Sequence, residues 1–177
     1  MNQKARFYYG MESIKMGLDM YLYERTYCPP SYKGKRKATN FTTKVRWYDG
    51  TEKKVKFKDV VYITCRKGYW RKANAIHNFF LERCSRGLDE ENCNGRDLAV
   101  YPEQLKELLG ICEELLKLKG KAFKKRASEL LPTAEGFFWG STGYDKWYRQ
   151  DLKETVKIIK SLNMDDNLVD IIYNADW

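Results

Sequence analysis

The segment YWRKANAIHN, which starts at residue 69, carries side chains that could bind a phosphorylated ligand. With helical spacing, Trp70, Asn74 and His77 lie near one another, and Arg71, Asn74 and Asn78 form an adjoining stripe. A guanidinium and amide groups can hold a phosphate, and an aromatic ring can stack on a base. The alternative is a core helix in which hydrogen bonds satisfy His77.

A second segment, GFFWGSTGYD from residue 136, combines small residues with hydroxyl groups. Gly140 and Gly143 allow close approach of the backbone, and we expect Ser141 or Thr142 to cap a helix that begins near Tyr144. Such a turn favours anions, although it matches neither a Walker A loop nor a GxSxG nucleophile elbow. The alternative is an ordinary helix cap.

A third group lies on a predicted strand, where Asp19 and Tyr21 share the face opposite Leu18 and Met20. If that face meets the 69–78 segment, Asp19 would orient His77 or Arg71. The predicted ligand-binding residues are Asp19, Tyr21, Trp70, Arg71, Asn74, His77, Ser141, Thr142 and Tyr144. Two further carboxylates, at positions 145 and 151, are six residues apart and therefore do not share a helical face.

A basic hairpin is predicted around Asp49-Gly50, between the runs 43–48 and 54–57. Most of the net charge of +9 falls within the first 60 residues. Lysines interleaved with aromatic residues could form a nucleic-acid or partner surface, and the alternative is a solvated lysine face. The predicted surface residues are Lys53, Lys54, Lys56 and Lys58.

The elements that must position these groups run from strands to helices. Beyond the hairpin, we expect strands over 16–23 and 60–65 and an edge strand over 97–101. We expect helices from about Tyr69, from Pro102, over 121–131 and over 144–162, with one short helix in the 163–177 tail. This order predicts an α+β fold, with an N-terminal antiparallel sheet or hairpin packed against about four C-terminal helices.

Composition narrows the class of protein. With 43% hydrophobic and 15% aromatic residues, the chain is not intrinsically disordered. It has no apolar run long enough to span a membrane and no secretory signal. Five scattered cysteines without a CxxC pair, together with one histidine, predict free thiols in a reducing cytosol and no metal or other cofactor.

Three separated motifs, GLDMYLYERTY, YWRKANAIHNFF and LLPTAEGFFWGSTGYDKWY with the following DLKET, resemble a family of small uncharacterised proteins common in bacteriophage and prophage genomes. Members of that family usually begin at the equivalent of Met16. The resemblance thus implies an N-terminal extension over 1–15, a single domain over 16–177, and a location in the cytosol of a bacterial host.

The function favoured by these features is a binding module that sequesters a phosphorylated small molecule. A nucleotide immune signal is the favoured ligand, which would make the protein an anti-defence sponge. One alternative is a protein-binding inhibitor of a host defence complex, similar to an anti-CRISPR. Others are a nucleic-acid-binding protein that uses the basic hairpin, and an enzyme with His77 as general acid and base.

Overall fold

The computed structural model describes residues 17–28, 40–46, 50–136 and 139–177. These residues fall into two compact units. The smaller comprises residue 28 with residues 40–46 and 50–61, and the larger comprises residues 17–27, 62–136 and 139–177. The expected domain limits stay a prediction, because the 1–15 extension lies outside the described residues.

The described elements confirm the α+β class. In chain order they are β1 (Asp19–Tyr27), β2 (Phe41–Arg46), β3 (Glu52–Phe57), β4 (Tyr62–Arg71), α1 (Asn74–Cys84), α2 (Glu90–Cys93), β5 (Leu98–Val100), α3 (Pro102–Lys117), α4 (Gly120–Leu130), α5 (Lys146–Lys160) and β6 (Val169–Asp176). None of the helices formed by these residues is both long and apolar enough to cross a bilayer.

In the smaller unit, β2 and β3 form the predicted antiparallel hairpin, with Thr43 opposite Val55 and Val45 opposite Lys53. Gly50 follows β2 with a φ of 81°, in the left-handed region that glycine adopts without steric cost. Its predicted turn partner, Asp49, lies outside the described residues.

The larger unit has a four-stranded antiparallel sheet in the order β4-β1-β6-β5. The predicted alternation on β1 is confirmed, since Leu18, Met20 and Leu22 are fully buried while Asp19 and Tyr21 lie on the opposite face. The helices pack on the buried face. The short strand β5 lies at the sheet edge, as the sequence predicts.

Two predictions of secondary structure are wrong. The helix expected from about Tyr69 begins at Asn74, because β4 continues through Tyr69 and Arg71, which pair with residues of β1. The tail expected to hold a short helix instead forms β6, which pairs with both β1 and β5. Short runs of aromatic and branched residues suit either structure, and pairing with distant strands decides between them.

The strand expected over 60–65 is also displaced and more exposed than predicted. β4 begins at Tyr62, and most of its first six residues are exposed. Its register against β1 shifts between Leu22 and Tyr23, which are opposite Gly68 and Arg66. Lys67 is therefore the extra residue of a β-bulge.

The helical layer is joined to the sheet through specific contacts. On the buried side of β4, the Trp70 indole donates a hydrogen bond of 3.0 Å to the Thr155 hydroxyl of α5. The Arg149 guanidinium of α5 donates to the carbonyls of Leu116 and Leu118 at the end of α3, and it lies 4.5 Å from the ring centre of Phe123. These contacts, at Arg149 and Thr155, fix α5 relative to β4, α3 and α4. All five cysteines are free thiols, as predicted.

Candidate functional site

A cleft in the larger unit brings together residues from the central and C-terminal motifs. It has a volume of about 250 Å³ and lies where the end of β4 and the start of α1 meet residues 140–145 and the first turns of α5. Its polar and aromatic lining comprises Arg71, Lys72, Asn74, Ser141, Asp145, Trp147, Tyr148 and Asp151. Three of the predicted ligand-binding residues, Arg71, Asn74 and Ser141, therefore meet there.

Two consecutive cations, Arg71 and Lys72, form the basic side of the cleft. Lys72 has a φ of 59°, a left-handed conformation that costs a non-glycine residue about 1 kcal/mol. Its N–H donates to the Leu18 carbonyl at 2.8 Å, which holds it in place. A methyl group added to Gly17 or to Gly140 would lie 3.0 Å from the Lys72 side chain, so both glycines leave room for this cation.

The N-terminus of α1 opens onto the same cleft without a capping side chain. Ala73 is the N-cap residue, the first turn has no acidic residue, and both Ala73 and Ala75 line the cleft. Unpaired N–H groups at a helix N-terminus carry partial positive charge and attract anions. The helix end and the two preceding cations thus favour the same kind of ligand.

The N-terminus of α5 is already capped. The Asp145 carboxylate accepts hydrogen bonds from the N–H groups of Trp147 at 2.8 Å and Tyr148 at 3.2 Å. The expectation that Ser141 or Thr142 caps this helix is wrong, because Asp145 directly precedes its first turn. A carboxylate at this end also opposes an anion there.

Asn74 connects the start of α1 to the glycine-rich loop. Its buried amide donates to the Ser141 carbonyl at 2.8 Å. The Ser141 hydroxyl in turn accepts from the Gly143 N–H at 3.1 Å, which tightens the turn. Asn74 and Ser141 therefore form part of the cleft wall, and the role of Asn74 is to hold the glycine-rich loop in position.

Two carboxyl groups, Asp145 and Asp151, lie on the α5 side of the cleft. Burial, together with the smaller effect of the negative charge on Asp145, raises the pKa of Asp151 to about 7. Within the described part of the chain, no group of three or more His, Cys, Asp and Glu side chains is arranged to hold a metal ion.

Trp147 offers an exposed aromatic surface at the cleft. Its side chain is 64% exposed, and the Lys146 ammonium lies 4.8 Å from its ring centre. Large aromatic residues are usually buried in folded proteins, and an exposed ring beside cations is suited to stacking on a planar ligand.

His77 and Trp70 lie in the core and do not line the cleft. The Nδ1 atom of the fully buried His77 is 2.6 Å from the Tyr173 hydroxyl, and its Nε2 atom has no hydrogen-bond partner among the residues that the structure describes. The rings of Trp139 and Trp177 pack edge-on at 4.4 and 4.6 Å. Burial lowers the pKa of His77 to about 3. This placement matches the alternative of a histidine in a core helix, although a hydrogen bond satisfies only one of the two ring nitrogens.

Thr142 and Tyr144 also lie outside the cleft lining. The Thr142 carbonyl accepts a hydrogen bond of 2.9 Å from the Thr133 hydroxyl, and the Tyr144 hydroxyl accepts one of 3.3 Å from the Thr133 N–H. The Tyr144 ring packs against Tyr148 with centres 5.1 Å apart. Both residues hold the loop against the segment that follows α4.

Asp19 and Tyr21 lie on the sheet face away from the helices. The Asp19 carboxylate accepts a hydrogen bond of 2.5 Å from the Tyr69 hydroxyl and lies 4.0 Å from the Arg71 Nε atom. Asp19 is therefore placed to influence Arg71, one of the two contacts expected for it, and it has no such relation to His77.

The four hairpin lysines, Lys53, Lys54, Lys56 and Lys58, are all exposed. The structure gives an ion pair between Arg46 and Glu52 in this hairpin, with an N–O distance of 3.1 Å. Exposure suits both a solvated face and a partner surface, so the alternative functions based on the hairpin stay predictions.

Sequence reasoning missed Lys72, Trp147, Asp145 and Asp151 as cleft residues. The sequence predicts that Asp145 and Asp151 lie on different faces of one helix, because they are six residues apart. Asp145 instead precedes α5 in an extended conformation, so helical spacing does not describe its position. Lys72 directly follows Arg71 in the motif and could have been found from that proximity. Nothing in the sequence around Trp147 predicts that its ring is exposed.

A scan against protein-family models, a search of curated proteins and a search of solved structures each found no match to this chain.

Proposed function

We propose that the protein binds a phosphorylated small molecule of the nucleotide class in the cleft at the start of α1. One observation carries the proposal. Arg71, Lys72 and the uncapped N-terminus of α1 all meet in one concave site, beside the exposed ring of Trp147. Phosphate groups generally bind at helix N-termini and beside paired cations. A planar base can stack on a neighbouring aromatic ring.

In this arrangement the phosphate lies between the Arg71 guanidinium and the first N–H groups of α1. The Arg71 guanidinium presents planar N–H donors that match two phosphate oxygens, and Lys72 adds a point charge. The base stacks on Trp147, and the α5 carboxyl groups accept hydrogen bonds from ribose hydroxyls or exocyclic amines.

The biological role that follows is sequestration without turnover. Tight binding lowers the free concentration of a ligand by mass action, and no catalytic group is needed for it. The resemblance of the motifs to bacteriophage and prophage proteins supports a nucleotide immune signal of the host as the ligand, and an anti-defence role. A host cytosolic location belongs to the same proposal.

Isothermal titration calorimetry tests the proposal. The panel comprises inorganic phosphate, the nucleoside monophosphates, and cyclic mono- and dinucleotides. We expect saturable binding of at least one nucleotide, weakened at least about tenfold by Arg71→Gln, which corresponds to about 1.4 kcal/mol. Lys153→Gln is the matched control, because it removes one exposed positive charge from α5 outside the cleft lining.

The ligand recovered after denaturing the complex should be chemically intact. Absence of binding across the whole panel contradicts the proposal, and so does equal affinity in the Arg71→Gln protein. Recovery of a hydrolysed ligand would replace sequestration with catalysis.

A further inference from the structure

The larger unit has a tyrosine-rich sheet face on the side away from the helices, which we call the outer face. Odd-numbered residues of β1 point to it, and the residues directly opposite them on β4 and β6 share it, because paired residues of neighbouring antiparallel strands lie on the same side. Its tyrosines are Tyr21, Tyr23, Tyr27, Tyr62 and Tyr69.

The tyrosines form two contiguous groups. The ring centres of Tyr21 and Tyr69 are 5.4 Å apart, and those of Tyr27 and Tyr62 are 5.3 Å apart. Tyr62 is 52% exposed and Tyr69 is 46% exposed, and Leu168 beside Tyr27 is 45% exposed. Clustered exposed tyrosines are uncommon on a surface that meets only water and are enriched at protein interfaces.

Charges on the outer face are separated across the strands. Arg66 of β4 is opposite Tyr23, and Asp170 of β6 is opposite Arg25. Both Arg66 and Asp170 are exposed, and neither has an ion pair among the described residues. By contrast, Arg25 pairs with Asp97 at 2.9 Å on the same face.

The cation therefore lies on one side of β1 and the carboxylate on the other. A two-fold axis parallel to the strands and above β1 would place β4 of one copy over β6 of the second. Each Arg66 would then lie over Ile172 of the other copy, two residues or about 7 Å along the strand from Asp170, a diagonal that the long arginine side chain can span. The β1 tyrosines would face one another. The outer face is thus complementary in charge to itself.

We propose that the outer face is the interface of a symmetric dimer, with a second copy of this chain as its partner. Tyrosines form the centre of the interface, and two Arg66–Asp170 contacts fix its register and orientation. Single-stranded nucleic acid fits this face less well, because Asp19, Asp97 and Asp170 place carboxylates beside the tyrosines.

Charge reversal tests the dimer in the full-length protein. We expect sedimentation velocity and native mass spectrometry to show a concentration-dependent dimer for the unmodified chain. Arg66→Asp and Asp170→Arg should each weaken dimerisation at least tenfold, because each places like charges opposite one another twice. Near-ultraviolet circular dichroism checks that both variants keep the native fold.

Mixing the two variants provides the decisive measurement. A heterodimer of Arg66→Asp with Asp170→Arg has opposite charges at both contacts, so it should form while each variant alone stays monomeric. The double variant R66D/D170R should also dimerise. The proposal is overturned if the unmodified chain is monomeric, if the single reversals leave the dimer intact, or if mixing restores nothing. Binding of a single-stranded oligonucleotide by a monomer that is abolished by Tyr69→Ala would equally overturn it.

Discussion

Asp151 is the residue whose charge state depends most directly on its place in the cleft. Burial and the nearby Asp145 carboxylate both disfavour its ionised form, which raises its pKa to about 7. The folded protein therefore keeps this proton up to about neutral pH, whereas the unfolded chain releases it near pH 4. Stability contributed by the proton is present below pH 4 and is lost as pH rises towards 7.

Asp151→Asn should remove this pH dependence. The asparagine variant stays neutral at every pH, so its free energy of unfolding should exceed that of the unmodified protein at pH 8 and approach it near pH 4. Urea unfolding between pH 4 and pH 8 measures the difference. Asp165→Asn makes the same chemical change at an exposed position outside the cleft and is the control. If Asp151→Asn changed the free energy of unfolding by the same amount at every pH, the raised pKa of Asp151 would be contradicted.

At the scale of elements, the contact between β4 and α5 depends on a glycine. A methyl group added to Gly68 would lie 2.7 Å from the Cγ2 atom of Ile158 and 3.0 Å from its Cδ1 atom. Gly68 follows the β-bulge at Lys67 and is buried, so α5 approaches the backbone of β4 closely here. By contrast, Gly110 lies on the exposed side of α3, with no atom within 4 Å of an added methyl group.

Gly68→Ala and Gly110→Ala should therefore change stability in opposite directions. Overpacking against Ile158 should lower the free energy of unfolding by about 1–3 kcal/mol. In α3, alanine should raise it by about 0.5–1 kcal/mol, because glycine has a high conformational entropy in the unfolded chain. Thermal and urea unfolding of both variants make the comparison. A neutral Gly68→Ala, with no compensating shift of α5, would contradict the close approach.

At the scale of the whole molecule, His77 couples global stability to pH. It lies between α1 and the aromatic side chains of Trp139, Tyr173 and Trp177, which come from distant parts of the chain. Burial lowers its pKa to about 3, while the unfolded chain takes up a proton near pH 6.5. Stability contributed by neutral His77 is thus complete above pH 6.5 and is lost as pH falls towards 3.

His77→Gln isolates this effect, because glutamine does not titrate. The free energy of unfolding of the unmodified protein, minus that of the variant, should fall by about 1.4 kcal/mol per pH unit below pH 6.5. The opposing contribution of Asp151 is common to both proteins and cancels in the difference. Parallel pH profiles of the two proteins would show that His77 does not titrate differently on unfolding.

Local patterns in the sequence by themselves determined several of the strands and helices of this protein. The alternation of Leu18, Met20 and Leu22 predicts a half-buried strand, the Gly50 turn predicts the hairpin, and the apolar stripe after Pro102 predicts α3. These features follow from side-chain periodicity and backbone sterics, which act over a few residues. The sequence also predicted Arg71 as a ligand-binding residue, and the adjacent Lys72 could have been predicted with it.

Only the tertiary structure decided which of these residues meet. It placed His77 in the core, made Asp145 the cap of α5, and inserted β6 into the middle of the sheet. Each outcome depends on segments far apart in the chain. Burial of a side chain, and hence its hydrogen bonds and its pKa, is set by whatever packs over it, and no short-range pattern carries that information.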